Sequence, residues 1–215
     1  MEEIMGRRKK EPKSVHRENI ASAASGLFME KGIVATSMDD IAKAAGYSKA
    51  TLYVYFKNKE EIVSILVLES MKKLYCYITS ALEQQETTKA RYDLICQGLV
   101  QYQEEFPFYF KMMLDNININ FENQNYLPEE KETYQVGEEI NEKMKDFLIS
   151  GIEKGDLRND LEIMPTILNF WGMLSGLIQL AANKEEYIRN SMALSKSQFL
   201  EYGFHMLYCS IAKER

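Results

Sequence analysis

Between Ala45 and Glu61 the chain reads AGYSKATLYVYFKNKEE, a stretch that interleaves Lys49, Lys57 and Lys59 with Tyr47, Tyr53 and Tyr55. These residue types suit recognition of a polyanion. A lysine reaches guanine O6 and N7 in a DNA major groove. A small side chain such as Ala50 permits close approach and touches a thymine methyl. The hydroxyls of Thr51, Tyr53 and Tyr55 donate to phosphate oxygens while the rings cover sugar edges. Thr36 and Ser37 offer two further hydroxyls, and Lys59 falls at a helix start, where free backbone amides attract phosphate. The expected DNA-facing set is therefore Thr36, Ser37, Lys49, Ala50, Thr51, Tyr53, Tyr55 and Lys59. Periodicity alone also admits a second reading, of half-buried tyrosines and lysines that only solvate a surface.

Such side chains need elements to aim them. Ser14 is placed to cap a first helix from Val15, with Ile20, Ala24, Leu27 and Phe28 recurring at helical spacing and Gly32 closing it. A short second helix follows, with capping-box spacing at Ser37 and Asp40, or at Thr36 and Asp39. Met38, Ile41, Ala42 and Ala45 supply its inner face, and Gly46 ends it. Only GYS separates it from a third helix capped by Ser48. Two short helices joined by a tight glycine-containing turn form a helix-turn-helix. On the third helix Leu52 and Phe56 point inward, which leaves Lys49 and Tyr53 beside Ala50 and Val54 outward. Asn58 and Glu61 then pair at the start of a fourth helix.

Charge follows the same division. Residues 1–60 carry 11 Lys and Arg against 8 Asp and Glu, whereas residues 61–215 carry 15 against 24. A basic end on an acidic body (net charge −6 overall) is what results when one end alone meets phosphate. The basic GRRKK at 6–10 is placed either to add phosphate or minor-groove contacts or to serve as a solubilising tail. At 215 residues, 46% hydrophobic and 27% charged, the chain has an ordinary globular composition. Four prolines and 11 glycines favour helices. No apolar run of about 18 residues suggests a membrane span, and MEEIMGRRKKEPKS lacks the apolar core of a signal peptide. Three isolated cysteines, Cys76, Cys96 and Cys209, fit reduced, buried thiols in the cytoplasm.

Beyond the third helix the chain reads as a long helix from Lys59 to about Leu82, a helix ended by Pro107, and a short one running into an Asn-rich loop. A longer helix follows Pro128, with Ile140, Met144, Phe147, Leu148 and Ile152 facing inward and Gly155 closing it. After a turn at GDLRNDLE come an almost wholly apolar helix, MPTILNFWGMLSGLIQLAAN, and a last helix, SKSQFLEYGFHMLYCSIAKE. A helix apolar on every side needs cover on every side, from its own core or from a second subunit. Met and aromatic residues fill this body. Phe110, Met113, Met144 and Trp171 are the expected lining of a pocket for an apolar or aromatic small molecule, although the same residues at helical spacing also make a plain core. HExxH, P-loop, GxSxG, CxxC and dinucleotide-binding glycine patterns are absent. His16 and His205 have no metal-spaced partners, and GDLRND has too few oxygen ligands for a calcium loop. No enzyme, cofactor or metal is expected.

Residues 14–68 resemble the TetR family of bacterial transcription regulators. SGLFMEKGIVATSMDDIAKAAGYSKATLYVYFKNKEEI matches the family's order of residues across the helix-turn-helix. The resemblance implies that Ser37–Phe56 forms the motif and that the eight residues above face a double-stranded operator. Ala50 stands where the family often has glycine and Val54 where it often has a polar residue, which affects base preference. The resemblance also implies a homodimer built by the last two helices, reading a palindrome as a repressor more often than as an activator. The reading is thus an all-α protein of about nine helices. A tail at 1–13 precedes a three-helix DNA-binding domain at 14–60 and a helical ligand-binding and dimerisation domain at 61–215. Effector binding would release the operator; control by a protein partner without a small molecule is the alternative.

Overall fold

The computed structural model describes residues 12–83, 87–115 and 126–213. The basic tail at 6–10 and the Asn-rich loop lie outside the described residues. Within them the chain forms ten helices and one isolated antiparallel bridge, Leu157 to Ala212. The helices are α1 (Lys13–Lys31), α2 (Met38–Ala45), α3 (Lys49–Tyr55), α4 (Lys59–Leu82), α5 (Thr88–Glu105), α6 (Pro107–Asp115), α7 (Pro128–Glu153), α8 (Ile163–Asn183), α9 (Glu185–Met192) and α10 (Lys196–Ile211). The all-α expectation holds, with one helix more than the nine expected. The additional one is α9, which buries Ile188 alone and exposes Tyr187 and Met192. One buried residue makes no stripe, so periodicity does not reveal it.

The chain divides into two compact units, one up to Leu66 and one from Val67, so the division falls inside α4. In the first unit, the head, α1, α2 and α3 pack together around Ile20, Ala24, Phe28, Ile41, Leu52, Phe56, Ile62 and Leu66, all buried. Helix α1 begins at Lys13, with Pro12 before it and no side-chain cap. Ser14 therefore lies within the first turn instead of capping it. Gly46 adopts φ 74° and ψ 25°, a left-handed conformation that glycine reaches without steric cost.

In the second unit, the body, α5 packs against α6, α7, α8 and α10, and α8 against α5, α7, α9 and α10. Their shared core includes Leu74, Ile78, Tyr102, Phe110, Ile140, Phe147 and Ile178. Pro107, expected as the end of one helix, opens the next, as its fixed φ and missing N–H allow. Gly151 is a point of close approach: a Cβ there would lie 2.6 Å from Leu157 Cδ1 and 2.9 Å from Thr88 Cγ2.

Helix α8 is long and apolar enough, by length and composition, to cross a membrane. Its Ile167, Phe170, Leu174 and Ile178 face the body's core, while Leu168, Met173 and Leu180 are exposed. On α10, Tyr202 and Met206 are exposed as well.

Candidate nucleic-acid interface

The surface of the head is set by capping. Ser37 Oγ accepts from the Asp40 amide at 3.2 Å, and Asp40 Oδ2 accepts from the Ser37 amide at 3.0 Å. Between the two registers open in the sequence, the Ser37–Asp40 box forms. Asp40 Oδ2 also accepts from Lys31 Nζ at 2.9 Å and from Ser37 Oγ at 2.7 Å. The lysine bond first, then the serine bonds, hold the Asp40 carboxyl well below the usual carboxylate range. At α3, Ser48 Oγ accepts from the Thr51 amide at 3.1 Å, and Asn58 Oδ1 does the same for the Glu61 amide at 3.0 Å.

With Leu52 and Phe56 buried, α3 presents Lys49, Ala50, Tyr53 and Val54 to solvent. Val54 is 69% exposed. Thr51 and Tyr55 are half-buried. The Thr51 hydroxyl lies 2.8 Å from Ser48 Oγ. The Tyr55 ring sits against His16 and Tyr47, with centroids 5.1 and 6.2 Å away.

Two of the eight expected residues are occupied elsewhere. Thr36 is only 1% exposed and its hydroxyl donates to the Gly32 carbonyl at 2.8 Å, so it closes the α1–α2 turn and does not line the surface. Lys59 Nζ donates to the carbonyls of Ile33 at 2.6 Å and Thr36 at 2.9 Å. An ammonium has three donors, so one remains for a further acceptor. Ser37, Lys49, Ala50 and Tyr53 stay exposed.

Three contributors escaped sequence reasoning. Asp39 forms an ion pair with Lys49 across α2 and α3 at 2.7 Å, and its hydrogen bond holds the lysine's amine above its ordinary range. Arg17 donates from Nη1 to the Tyr55 carbonyl at 2.8 Å and stacks 4.4 Å over the Phe56 ring. His16 Nδ1 lies 2.7 Å from the Tyr47 hydroxyl. The last two are contacts over 38 and 31 residues of sequence, for which spacing carries no signal.

In the body, Phe110, Met113 and Met144 are buried in the core, and Trp171 packs against it half-buried. A half-open cleft of about 640 Å³ lies between α5 and α10, over Cys96, Val100, Leu200 and Phe204. A second cavity of about 620 Å³ is bordered by Lys89, Asp156, Tyr208 and Lys213. None of the four expected pocket residues lines either space. Of the three cysteines expected to be buried, Cys76 and Cys209 are exposed and Cys96 alone is buried, and burial pushes its thiol up to about 12. Among the described residues no group of three or more His, Cys, Asp or Glu is placed to hold a metal.

Comparison with known proteins agrees with this geometry. The pattern of the bacterial regulatory proteins of the tetR family matches residues 20–64, which run from α1 into α4. Over 204 residues the chain is 27% identical to the biofilm operon icaADBC negative transcriptional regulator IcaR of Staphylococcus aureus (strain Newman), covering 92% of this chain and 100% of that one. It is 23% identical over 194 residues to the fatty acid metabolism regulator protein of Bacillus subtilis (strain 168), covering 86% and 94%. The crystal structure of PfmR, a TetR family transcriptional regulator from Thermus thermophilus, superposes with a TM-score of 0.65 at 26% identity, covering 91% of this chain and 99% of that one.

Proposed function

Because the chain belongs to the TetR family of bacterial transcriptional regulators, and so binds DNA instead of catalysing a reaction, we propose that it is a ligand-responsive repressor whose head reads a palindromic operator through α3. The observation that carries this reading is the solvent-facing quartet Lys49, Ala50, Tyr53 and Val54, held outward by the burial of Leu52 and Phe56. Lys49 and Tyr53 supply donors for base edges and phosphate; Ala50 and Val54 supply methyls for contact with thymine. Ser37, Thr51, Tyr55 and Lys59 flank the quartet as phosphate contacts, Lys59 through its remaining donor. A DNA-binding protein of this kind acts in the bacterial cytoplasm.

A palindrome requires two heads spaced by one helical turn of DNA, or a multiple of it. We assign the dimer interface to α8 and α10, the two apolar helices near the C-terminus, with α9 between them in sequence. Leu168, Leu180, Tyr202 and Met206 leave large apolar surfaces exposed. A Cβ on Gly172 or Gly176 would meet nothing within 4 Å, so these glycines have no neighbour in their own chain that requires them. Each costs a helix interior about 1 kcal/mol relative to alanine, which close approach of a partner helix would offset. Leu168→Glu with Met206→Glu should yield a monomer by sedimentation; an intact dimer would move the interface elsewhere.

The effector belongs to the body. An apolar molecule would enter by displacing the adaptable side chains of Phe110, Met113, Met144 and Trp171, and would act through α4, the helix shared by both units. About 1–3 kcal/mol of differential affinity changes occupancy 5- to 150-fold. Operator sequences selected from random duplexes provide the test. Wild-type protein should bind them above competitor DNA, and Lys49→Ala with Tyr53→Ala should abolish that preference. Retained preference in the double variant would remove α3 from the reading role.

A further inference from the structure

Lys49 stands at the first position of the recognition helix, where a free ammonium would be drawn to any phosphate regardless of sequence. It is not free. Its Nζ lies 2.7 Å from Asp39 Oδ1, and the side chains of the two residues are 61% and 55% exposed. A carboxylate thus sits on the surface that meets the polyanion, in the first turn of α2. The neighbouring Asp40 holds Lys31 in the same way. Asp40 also closes the α2 capping box, which accounts for its presence. Asp39 takes no part in that box, and its ion-pair partner is Lys49.

We propose that Asp39 is a specificity-determining positioning residue: it holds the Lys49 ammonium along the N-terminal edge of α3, toward base edges, and withholds it from phosphate. The inference rests on the DNA-reading role of α3. Two physical points support it. An exposed ion pair is weak, so it directs Lys49 without locking it. Sequence-independent affinity comes from counterions released as cations neutralise phosphates, and a lysine neutralised by its own carboxylate releases none. Specificity is a difference between affinities, and weakening the competing mode raises it as effectively as strengthening the correct one.

The test compares wild type, Asp39→Asn, Lys49→Met and the double variant, each as full-length dimer. Binding is measured by fluorescence anisotropy over a salt series, on a random-sequence duplex and on the selected operator. In Asp39→Asn the random duplex should bind about tenfold more tightly at fixed salt. Its log–log salt slope should steepen by about 0.9 for each subunit's freed lysine. Operator affinity should stay level or fall, so the preference for operator drops about tenfold, a difference of about 1.4 kcal/mol. None of these changes should occur when Lys49 is Met. An unchanged slope and preference in Asp39→Asn would overturn the proposal. So would the same change in the Lys49→Met background, which would make Asp39 a bare repulsive charge. Asp39→Ser, which keeps a hydroxyl in the first turn of α2, replaces Asn if circular dichroism shows a misfolded head. Wild-type protein that binds neither duplex at low salt would instead remove the DNA-reading role itself.

Discussion

The turn between α2 and α3 and the stretch from α8 to α9 pose the same structural problem, joining two helices in a few residues, and they solve it with different chemistry. In the head, Ser37 and Asp40 cap α2, Gly46 ends it in the left-handed region and Ser48 caps α3. Each helix end is closed by a side chain or a backbone preference that belongs to the segment itself. In the body, Lys184 serves as the last boundary residue of α8 and the first of α9, and neither helix starts with a side-chain cap. Those helices are placed by burial of Ile167, Phe170, Leu174, Ile178 and Ile188. The head must present a few side chains at fixed angles to a rigid groove, which favours local, directional bonds. A body that answers to an effector is better served by non-directional packing, which can rearrange.

The largest test of this contrast removes one fully buried ring from each unit. Phe56→Ala and Phe110→Ala should each cost about 3–5 kcal/mol. The head has fewer buried side chains over which to spread that loss. Calorimetry should therefore show the head melting separately in Phe56→Ala while the body's transition persists. A single transition, shifted equally by both substitutions, would break the contrast.

Gly151→Ala probes directional contact inside the body. The added methyl meets Leu157 and Thr88 below 3 Å, and overpacking of this kind costs about 1–3 kcal/mol. The melting temperature should fall with little change in operator affinity. No change would show a body even more adaptable than its packing suggests.

Lys59→Met should remove both carbonyl bonds of the α1–α2 turn. Bonds to charged donors contribute about 1.5–3 kcal/mol each when buried; half-exposure lowers the expected loss to about 1.5 kcal/mol. The salt slope on random DNA should fall by about 0.9 for each subunit. A stability loss with an unchanged slope would leave Lys59 as a clamp on the turn and no part of the DNA surface.

The smallest expected effects sharpen the comparison at α2. Ser37→Ala should cost about 1 kcal/mol of head stability. Asp40→Asn adds a pH signature. The folded carboxyl lies well below its ordinary 3.8 because of Lys31 and Ser37. Its stabilisation is therefore fully present above that ordinary value and is lost as pH falls through the lowered, folded one. The stability gap between wild type and Asp40→Asn should be constant near neutral pH and narrow in strong acid. A gap that widens on acidification would contradict the capping box.

The head's fold was legible because its signals are local. Ser37, Gly46, Ser48 and Asn58 mark helix ends within three or four residues, and Leu52 and Phe56 mark an inner face one turn apart. That much follows from backbone sterics and from hydrogen bonds between near neighbours, which composition and spacing encode. The outward quartet on α3 follows in turn from the burial of the other face. Tertiary structure decided the rest. It drew Lys59 and Thr36 into the α1–α2 turn, paired Asp39 with Lys49, and set Arg17 over Phe56. It also split the apolar length of α8 into a core face and an open one. The chain determines by itself which residues prefer burial and where helices stop. Which buried residues meet, and which exposed cation is already taken, depends on contacts between elements distant in sequence, and spacing along the chain does not record them.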